Sequence, residues 1–245
     1  MQKKFAAPES LACPIEFFGD VYSMLIHIHM FTGIIEKTSR ILSAETRGRC
    51  RRVTLEKPEG WKLAPGESIS IDGICSTVTA RTRDRFDVEY MPETLSKTTA
   101  ALFTAGRIVN LERSLRYGDR VHGHFVAGHV DGRGRIVAVK KEGRTRMIRV
   151  SKAAHCAAYL HKKGSVAING VSLTIVATHA RTFDVALIPY TLSKTSLRFL
   201  EAGTEVNIEC DMLARYNLVT FYPGGTVPRN AKKGGRNKKP KKKRV

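Results

Sequence analysis

The chain has 245 residues, with 42 Lys and Arg against 22 Asp and Glu, a formal net charge of +20 and five cysteines. No apolar run approaches the roughly 18 residues of a membrane span, and the N-terminus lacks a signal-peptide layout. The cysteines are odd in number and have no spacing typical of a zinc knuckle or a redox motif. We therefore expect a cytoplasmic protein with free thiols and no metal.

The charge is concentrated at the C-terminus. Ten of the 42 basic residues lie in Arg229–Val245, a segment without a single acid. Its Gly, Asn, Lys and Pro composition cannot bury enough apolar area to fold. We expect residues 220–245 to be a disordered basic tail, whose nucleic-acid role is limited to weak, salt-sensitive contact with RNA.

The N-terminal part of the chain has no regular pattern. Residues 1–29 show no apolar periodicity, whereas Met30–Glu36 reads as a first strand. We expect 1–29 to be an unstructured extension or a mis-assigned start, with translation beginning at Met30.

Short β-branched runs follow, separated by Gly, Pro and Asp clusters, at Arg40–Leu55, Ser68–Thr79, Arg85–Met91 and Arg107–Glu112. This alternation is typical of half-buried strands. No long amphipathic helix lies between them, and one short helix is expected at Glu93–Ala101. The pattern favours a small antiparallel barrel over a parallel sheet.

The chain then repeats itself. Ile71–Val78 and Ile168–Ile175 each place an Asp-Gly or Asn-Gly pair between apolar runs, the signal for a tight hairpin turn. Their shift of 97 residues (170 − 73) holds downstream, and a shift of 95 (128 − 33) relates Gly33–Glu36 to Gly128–Asp131. We infer a tandem duplication, with domains at 30–122 and 123–219.

The second half repeats the strand pattern at Arg135–Val139, Arg146–Val150, Ser165–Ile168, Val171–Thr178, Thr182–Ile188 and Glu205–Glu209. Two helices are also expected there. Ala-rich Lys152–Leu160 predicts one, and Met212–Val219 predicts two helical turns that Pro223 stops.

Polar side chains occur in matched pairs after both hairpin turns. Cys75 and Thr77, like Ser172 and Thr174, stand two residues apart and so share one face of a strand. The pairs suggest two sites for one flat, hydrogen-bonding ligand, although Ser and Thr are also ordinary strand residues. Cys75 is either a reactive thiol or an inert buried one.

Histidines cluster at the junction of the halves. His129 is a candidate for proton transfer because it is a histidine, or else it is a turn or surface residue. His122 and His124 resemble metal ligands, but no cysteine or carboxylate beside them completes a set, so no metal is expected.

Together, Met30–Glu36, Gly123–Gly132, Asn169–Thr174 and Leu187–Pro189 closely resemble the riboflavin synthase family of the alpha type. The resemblance implies an all-β fold of two tandem six-stranded Greek-key antiparallel barrels with short helices, assembled as a homotrimer. Each barrel would hold one 6,7-dimethyl-8-ribityllumazine. The implied reaction is a dismutation that gives riboflavin and 5-amino-6-ribitylamino-pyrimidinedione. It would need no metal or organic cofactor and would take place between barrels of neighbouring subunits. Lumazine synthase is a candidate protein partner.

The resemblance also implies site residues. The first pocket would be lined by Gly33, Ile34, Ile35, Cys75, Ser76, Thr77, Glu89, Tyr90, Met91, Pro92, Glu93 and Thr94, with Phe31 covering one pocket. The second would be lined by Gly128, His129, Val130, Lys163, Ser172, Leu173, Thr174, Ile188, Pro189, Tyr190, Thr191, Leu192 and Ser193.

Catalytic roles follow from the same resemblance. His129 and Thr174 would serve as the base or its water relay, Cys75 and Ser172 as nucleophiles or hydrogen-bonding groups, and Asp211 as a carboxylate near the site. Pro223 shortens the helix that packs the family's trimer. The alternative is a carrier that binds one lumazine or flavin without chemistry.

Overall fold

The computed structural model describes residues 30–153 and 156–221, without the side chains of 218–221. The expectations for the extension 1–29 and for tail residues 222–245 lie outside the described residues. Within the described part, no helix is both long and apolar enough to cross a membrane.

The first half closes into a six-stranded antiparallel barrel in the order β1-β2-β5-β4-β3-β6. Its strands are β1 Lys37–Arg47, β2 Cys50–Glu56, β3 Ser68–Ile71, β4 Ile74–Arg81, β5 Arg85–Tyr90 and β6 Ile108–Arg113. The predicted run Arg40–Leu55 is thus two strands, because a turn at Gly48 divides it.

The second half forms a closed barrel in the same relative order, β7-β8-β11-β10-β9-β12. Its strands are β7 Gly132–Glu142, β8 Thr145–Ser151, β9 Ser165–Ile168, β10 Val171–Thr178, β11 Thr182–Leu187 and β12 Glu205–Cys210. The predicted tandem all-β barrels are confirmed.

Each barrel buries its own hydrophobic core. The strands also carry bulges at matching positions, between Val78 and Ala80 in β4 and between Ile175 and Ala177 in β10. A bulge bends its strand and increases the local twist, which helps a short sheet to close on itself. The duplication therefore preserves curvature as well as strand order.

The α-helices are short, and the first two lie after matching strands. α1 Pro92–Lys97 follows β5, α2 Pro189–Lys194 follows β11, and α3 Met212–Phe221 follows β12. A proline in the first turn favours the start of α1 and of α2 because it is pre-set for helical φ. Both short-helix predictions, at Glu93–Ala101 and Met212–Val219, are confirmed.

The helix predicted at Lys152–Leu160 is corrected for the residues that the structure describes. Cys156 N–H donates to Ala153 O and Tyr159 N–H donates to Cys156 O, both at 3.0 Å. These bonds span three residues, so this part of the segment forms 3₁₀-type turns. Alanine propensity is a weak preference that packing overrides, and here Cys156 and Leu160 are both buried in the core of the second barrel.

The two barrels meet turn against turn. Asp72 and Gly73 have φ values of 46° and 80°, and Asn169 and Gly170 have 45° and 77°. Positive φ at both central residues is the requirement of a type I′ hairpin turn. A Cβ on Gly73 would lie 2.6 Å from Gly170 N, so the two turns touch through backbone alone.

Two buried asparagines connect the turns across this contact. Asn110 Nδ2 donates to Asn169 O at 2.9 Å, and Asn207 Nδ2 donates to Asp72 O at 2.8 Å. Each Oδ1 also accepts a backbone N–H from the opposite barrel, at 2.6 Å and 2.7 Å. The residues form reciprocal bonds, as they would across a two-fold axis. The contact is therefore specific in register.

Replacing Gly170 by Ala should destabilise the protein by about 2–4 kcal/mol, because a left-handed φ and a Cβ 2.7 Å from Gly73 N combine. The matched control is Gly60→Ala, at the same φ of +77° but with no atom of the described residues within 4 Å of the new Cβ. It should cost only about 1 kcal/mol. Urea unfolding measures both, and equal losses would contradict the close turn contact.

Candidate functional site

Each matched polar pair shares one face of its strand, as predicted, and this face is the outer face of the barrel. In β4 and β10 the same alternation of buried and exposed positions occurs, which leaves Cys75 and Ser172 half-buried and Thr77 and Thr174 exposed. Each pair therefore lies on a surface that a ligand can reach.

Three residues that were expected to contact the ligand are buried and face the barrel interior instead, so this expectation is corrected. Ser76 Oγ donates to Ile74 O and lies 2.9 Å from Tyr90 OH, inside the first barrel. Tyr90 and Leu173 are only 2% and 8% exposed. Side chains alternate along a strand, so a residue beside Cys75 or Ser172 must face the core.

The segment before each barrel crosses to the other barrel. Gly33 O accepts Ser172 N–H, and Gly128 O accepts Cys75 N–H, both at 2.8 Å. The expected pairing of Gly33–Ile35 with Cys75, and of Gly128–Val130 with Ser172, is therefore wrong. We call the two resulting arrangements half-site 1, around Cys75 and Gly128, and half-site 2, around Ser172 and Gly33.

Packing supports this crossed arrangement. Ile35 packs against the core of the second barrel, and Val130 packs against the core of the first. Phe31 and Val126 pair as an antiparallel bridge between the two segments. Phe31 is fully buried there, so the expectation that it covers a pocket is also corrected. It lies in a small cluster with Val126 and Ala167 instead.

Glycine is required where the segments touch the strands. Gly33 and Gly128 have φ values of 74° and 75°. A Cβ on Gly33 would lie 2.6 Å from Ser172 Cβ, and one on Gly128 would lie 2.7 Å from Cys75 Cβ. Only a residue without a side chain allows this approach, which explains the glycine at the same place in both repeats.

Buried glutamates hold the crossing segments in position. Glu112 accepts Thr32 N–H and Oγ1–H at 2.7 Å and Gly33 N–H at 3.0 Å. Glu209 accepts Ala127 N–H at 2.7 Å. Burial raises the pKa of each carboxyl to about 7, although these donors oppose the shift. The two glutamates match in the repeat, but the sequence alone did not suggest this role.

Half-site 2 contains a histidine that the sequence suggested only as a metal ligand. His124 Nδ1 lies 2.7 Å from Ser172 Oγ, and its Nε2 is buried without a hydrogen-bond partner in the described part of the chain. Burial lowers the pKa of His124, and the charge of Asp211 acts in the opposite direction. A neutral imidazole beside a hydroxyl can accept a proton.

Asp211 is placed by the helix that follows it. Its Oδ1 accepts Leu213 N–H at 2.9 Å, as an N-cap of α3. His129 is exposed and adjoins Gly128, so it belongs to half-site 1 and not beside Thr174. The structure thus brings Ser172, His124 and Asp211 to half-site 2 and separates His129 from them.

The remaining predicted residues lie around the ends of the strands. β11 runs antiparallel to β10, as β5 does to β4, so residues after β5 and β11 approach the starts of β4 and β10. Met91, Ile188 and Tyr190 are 59%, 53% and 69% exposed. Lys163 is exposed at φ 70°, with its N–H donated to Ile175 O. The other predicted positions after these strands are Pro92, Glu93 and Thr94 in α1, and Pro189, Thr191, Leu192 and Ser193 in α2.

The half-sites are open surfaces. A cavity of about 570 Å³ lies beside Lys57 and Asp84, and one of about 410 Å³ lies beside Arg107 and Asn169. Neither is lined by the polar pairs. Thr77 and Thr174 are exposed, so each half-site faces solvent.

Comparison with known families identifies the domains. The lumazine binding domain model matches residues 32–114 and 127–211, so the fold and the paired half-sites define a protein of two tandem lumazine-binding domains. The chain is 39% identical to riboflavin synthase of Bacillus subtilis over 188 residues, covering 76% of this chain and 87% of that protein. It is 41% identical to riboflavin synthase of Brucella abortus over 195 residues, covering 76% and 96%. The chain belongs to the riboflavin synthase family.

Solved structures support the fold. LumP complexed with riboflavin superposes with a TM-score of 0.69 at 21% identity, covering 74% of this chain and 98% of that one. LumP complexed with 6,7-dimethyl-8-(1'-D-ribityl) lumazine gives 0.67 at 20%, covering 73% and 98%.

Glu112→Gln should flatten the dependence of stability on pH. The pKa of Glu112 is about 7 in the folded protein and near 4.5 when unfolded, so its neutral form stabilises the fold at low pH. That contribution is lost as the pH rises through 7, by at most about 1.4 kcal/mol per pH unit. The variant lacks the titrating group.

Urea unfolding at pH 5 and pH 8 measures the difference. Wild type should lose more stability than Glu112→Gln over this interval, while Glu59→Gln, at an exposed position, should follow wild type. Parallel curves for wild type and Glu112→Gln would refute the buried, protonated carboxyl.

Proposed function

We propose that the protein is a riboflavin synthase that transfers a four-carbon unit between two molecules of 6,7-dimethyl-8-ribityllumazine. The products are riboflavin and 5-amino-6-ribitylamino-pyrimidinedione. The observation that carries the proposal is the duplication of the half-site, with Cys75 and Thr77 matched by Ser172 and Thr174 on equivalent strands. A reaction between two identical substrates needs two similar binding surfaces.

Half-site 2 is the better equipped of the two for proton transfer. The reaction requires loss of a proton from the 7-methyl group of one lumazine. His124 is kept neutral by burial and lies 2.7 Å from Ser172 Oγ, which can relay a proton between the imidazole and the ligand. We propose His124 with Ser172 as the acid–base pair, supported by Thr174 and Asp211.

Half-site 1 offers polar contacts but, among the residues that the structure describes, no such pair. The Cys75 thiol is half-buried, and burial raises its pKa, which disfavours a thiolate. We propose that Cys75 and Thr77 bind the second lumazine and that His129 lies beside it. Holding two substrates face to face removes the cost of their encounter and is a large part of the rate enhancement.

We propose a homotrimer in which half-site 1 of one subunit faces half-site 2 of its neighbour. The support is the open form of both half-sites and the exposed apolar side chains near them. Ile34, Met91 and Ile188 are 45%, 59% and 53% exposed. A facing subunit would cover these side chains and both ligands. A cytoplasmic location and an association with lumazine synthase stay predictions.

A carrier function is the second candidate. LumP structures hold a lumazine or a flavin on the same fold. A carrier needs one site, whereas this chain retains polar pairs on both barrels together with the histidine beside Ser172.

Purified protein incubated with 6,7-dimethyl-8-ribityllumazine alone should form riboflavin, followed by its absorbance. Ser172→Ala and His124→Gln should each lower kcat by about 10²-fold, because each removes one member of the acid–base pair. Cys75→Ser should retain most activity, since the other repeat already carries serine there. Tight binding without product would support the carrier.

The control for His124→Gln is His122→Gln, at an exposed position in the same connecting segment. It should leave kcat unchanged. Equal losses in both variants would mean that the segment, and not the imidazole, matters.

The inter-subunit site can be tested by complementation. Thr77→Trp blocks half-site 1 and Thr174→Trp blocks half-site 2, both at exposed strand positions where folding is tolerant. Each variant alone should be inactive. Mixed trimers should regain up to about a quarter of wild-type activity, because some interfaces combine two intact half-sites.

Mixtures that show no gain after subunit exchange would contradict a site between chains. Size-exclusion chromatography of the same samples separates this result from a failure to assemble.

A further inference from the structure

Outside the half-sites, three potential metal ligands meet at the base of the second barrel. Asp131, Cys156 and Cys210 place their ligand atoms within 4.8 Å of one another. Cys156 and Cys210 are 0% and 2% exposed. We call this group the thiol cluster. Its members come from the start of β7, the turn before β9 and the end of β12, so the fold alone brings them together.

The carboxylate of the thiol cluster is already oriented. Asp131 Oδ2 accepts Cys210 N–H and Arg215 Nη2–H, each at 2.8 Å. These bonds use one oxygen and leave Oδ1 for another ligand. Arg215 Nε is also buried without a hydrogen-bond partner among the described residues. Such outer contacts resemble those that position a metal-binding carboxylate.

We propose that the thiol cluster binds one zinc ion through Cys156 Sγ, Cys210 Sγ and Asp131 Oδ1. Thiolates and a carboxylate are ordinary zinc ligands, at about 2.3 Å for sulfur and 2.0–2.2 Å for oxygen. Tetrahedral ligation places two sulfurs about 3.8 Å apart. The ligand atoms lie within 4.8 Å of one another, so the distance between the two sulfurs must shorten by roughly 1 Å at most. The fourth position is left for water.

The charges balance when zinc is bound. Two thiolates and one carboxylate supply three negative charges, and zinc with the Arg215 guanidinium supplies three positive ones. Without the ion, two thiolates buried side by side would be costly. Zinc binds the thiolate form of cysteine, so binding releases protons and affinity should increase with pH.

The location gives the ion a structural role. Cys210 directly precedes Asp211, the N-cap of α3. Zinc would tie this end of β12 to β7 and to the turn at Cys156. The site would thus fix the start of α3 beside half-site 2 without taking part in the transfer reaction.

The test uses the full chain, reduced, stripped with a chelator and titrated with zinc against a chromophoric competitor. We expect one equivalent per chain to bind. Cobalt(II) in place of zinc should give a thiolate-to-cobalt charge-transfer band. Cys156→Ser and Cys210→Ser should abolish the band, whereas Cys50→Ser, a half-buried thiol of the first barrel, should leave it intact.

Further variants separate ligation from misfolding. Arg215→Gln retains all three ligands and should weaken zinc binding by about 10–100-fold. Wild-type protein without a stoichiometric zinc equivalent and without the cobalt band would overturn the proposal, whether or not the serine variants fold. A mass two units lower with both thiols unreactive would identify a disulfide instead and would also overturn it.

Discussion

The close approach of the Gly73 and Gly170 backbones is the constraint on which the rest of the structure depends. A Cβ on either residue would come within 2.7 Å of the other turn, so the barrels can meet in this register only with glycine at both positions. Asn110 and Asn207 then satisfy the buried polar groups on either side of the contact. An unsatisfied buried group costs about 1–3 kcal/mol, so the same bonds also exclude other registers.

The crossing of the leading segments follows from this contact and makes each half-site composite. Cys75 lies on one barrel, but Gly128 beside it leads into the other, and the reverse holds for Ser172 and Gly33. Neither barrel alone would therefore carry a complete half-site. Glu112 is a member of the first barrel that fixes Gly33, so a buried carboxyl in one barrel shapes the ligand surface of the other.

The two repeats have diverged where chemistry differs while retaining the interactions that hold the fold. Asp72 Oδ1 and Asn169 Oδ1 accept equivalent backbone N–H groups, each at 2.8 Å. Asp72 is fully buried, which raises its pKa to about 6, and Arg107 lies 3.4 Å away as its ion-pair partner. Likewise, Cys75 and Ser172 occupy equivalent positions in the two repeats. In the described part of the chain, however, His124 contacts Ser172 in half-site 2 and does not contact half-site 1.

The sequence by itself determined the tandem all-β architecture, the two type I′ turns and the placement of each polar pair on one face of its strand. These depend on periodicities of two residues and on turn chemistry, which are local. Tertiary structure decided which segment reaches which barrel, and therefore corrected the pairing of Gly33 with Cys75. It also decided the contact of His124 with Ser172 and the meeting of Cys156 with Cys210. Residues far apart in the chain become neighbours only when the barrels close. Their spacing along the sequence does not show which of them come into contact.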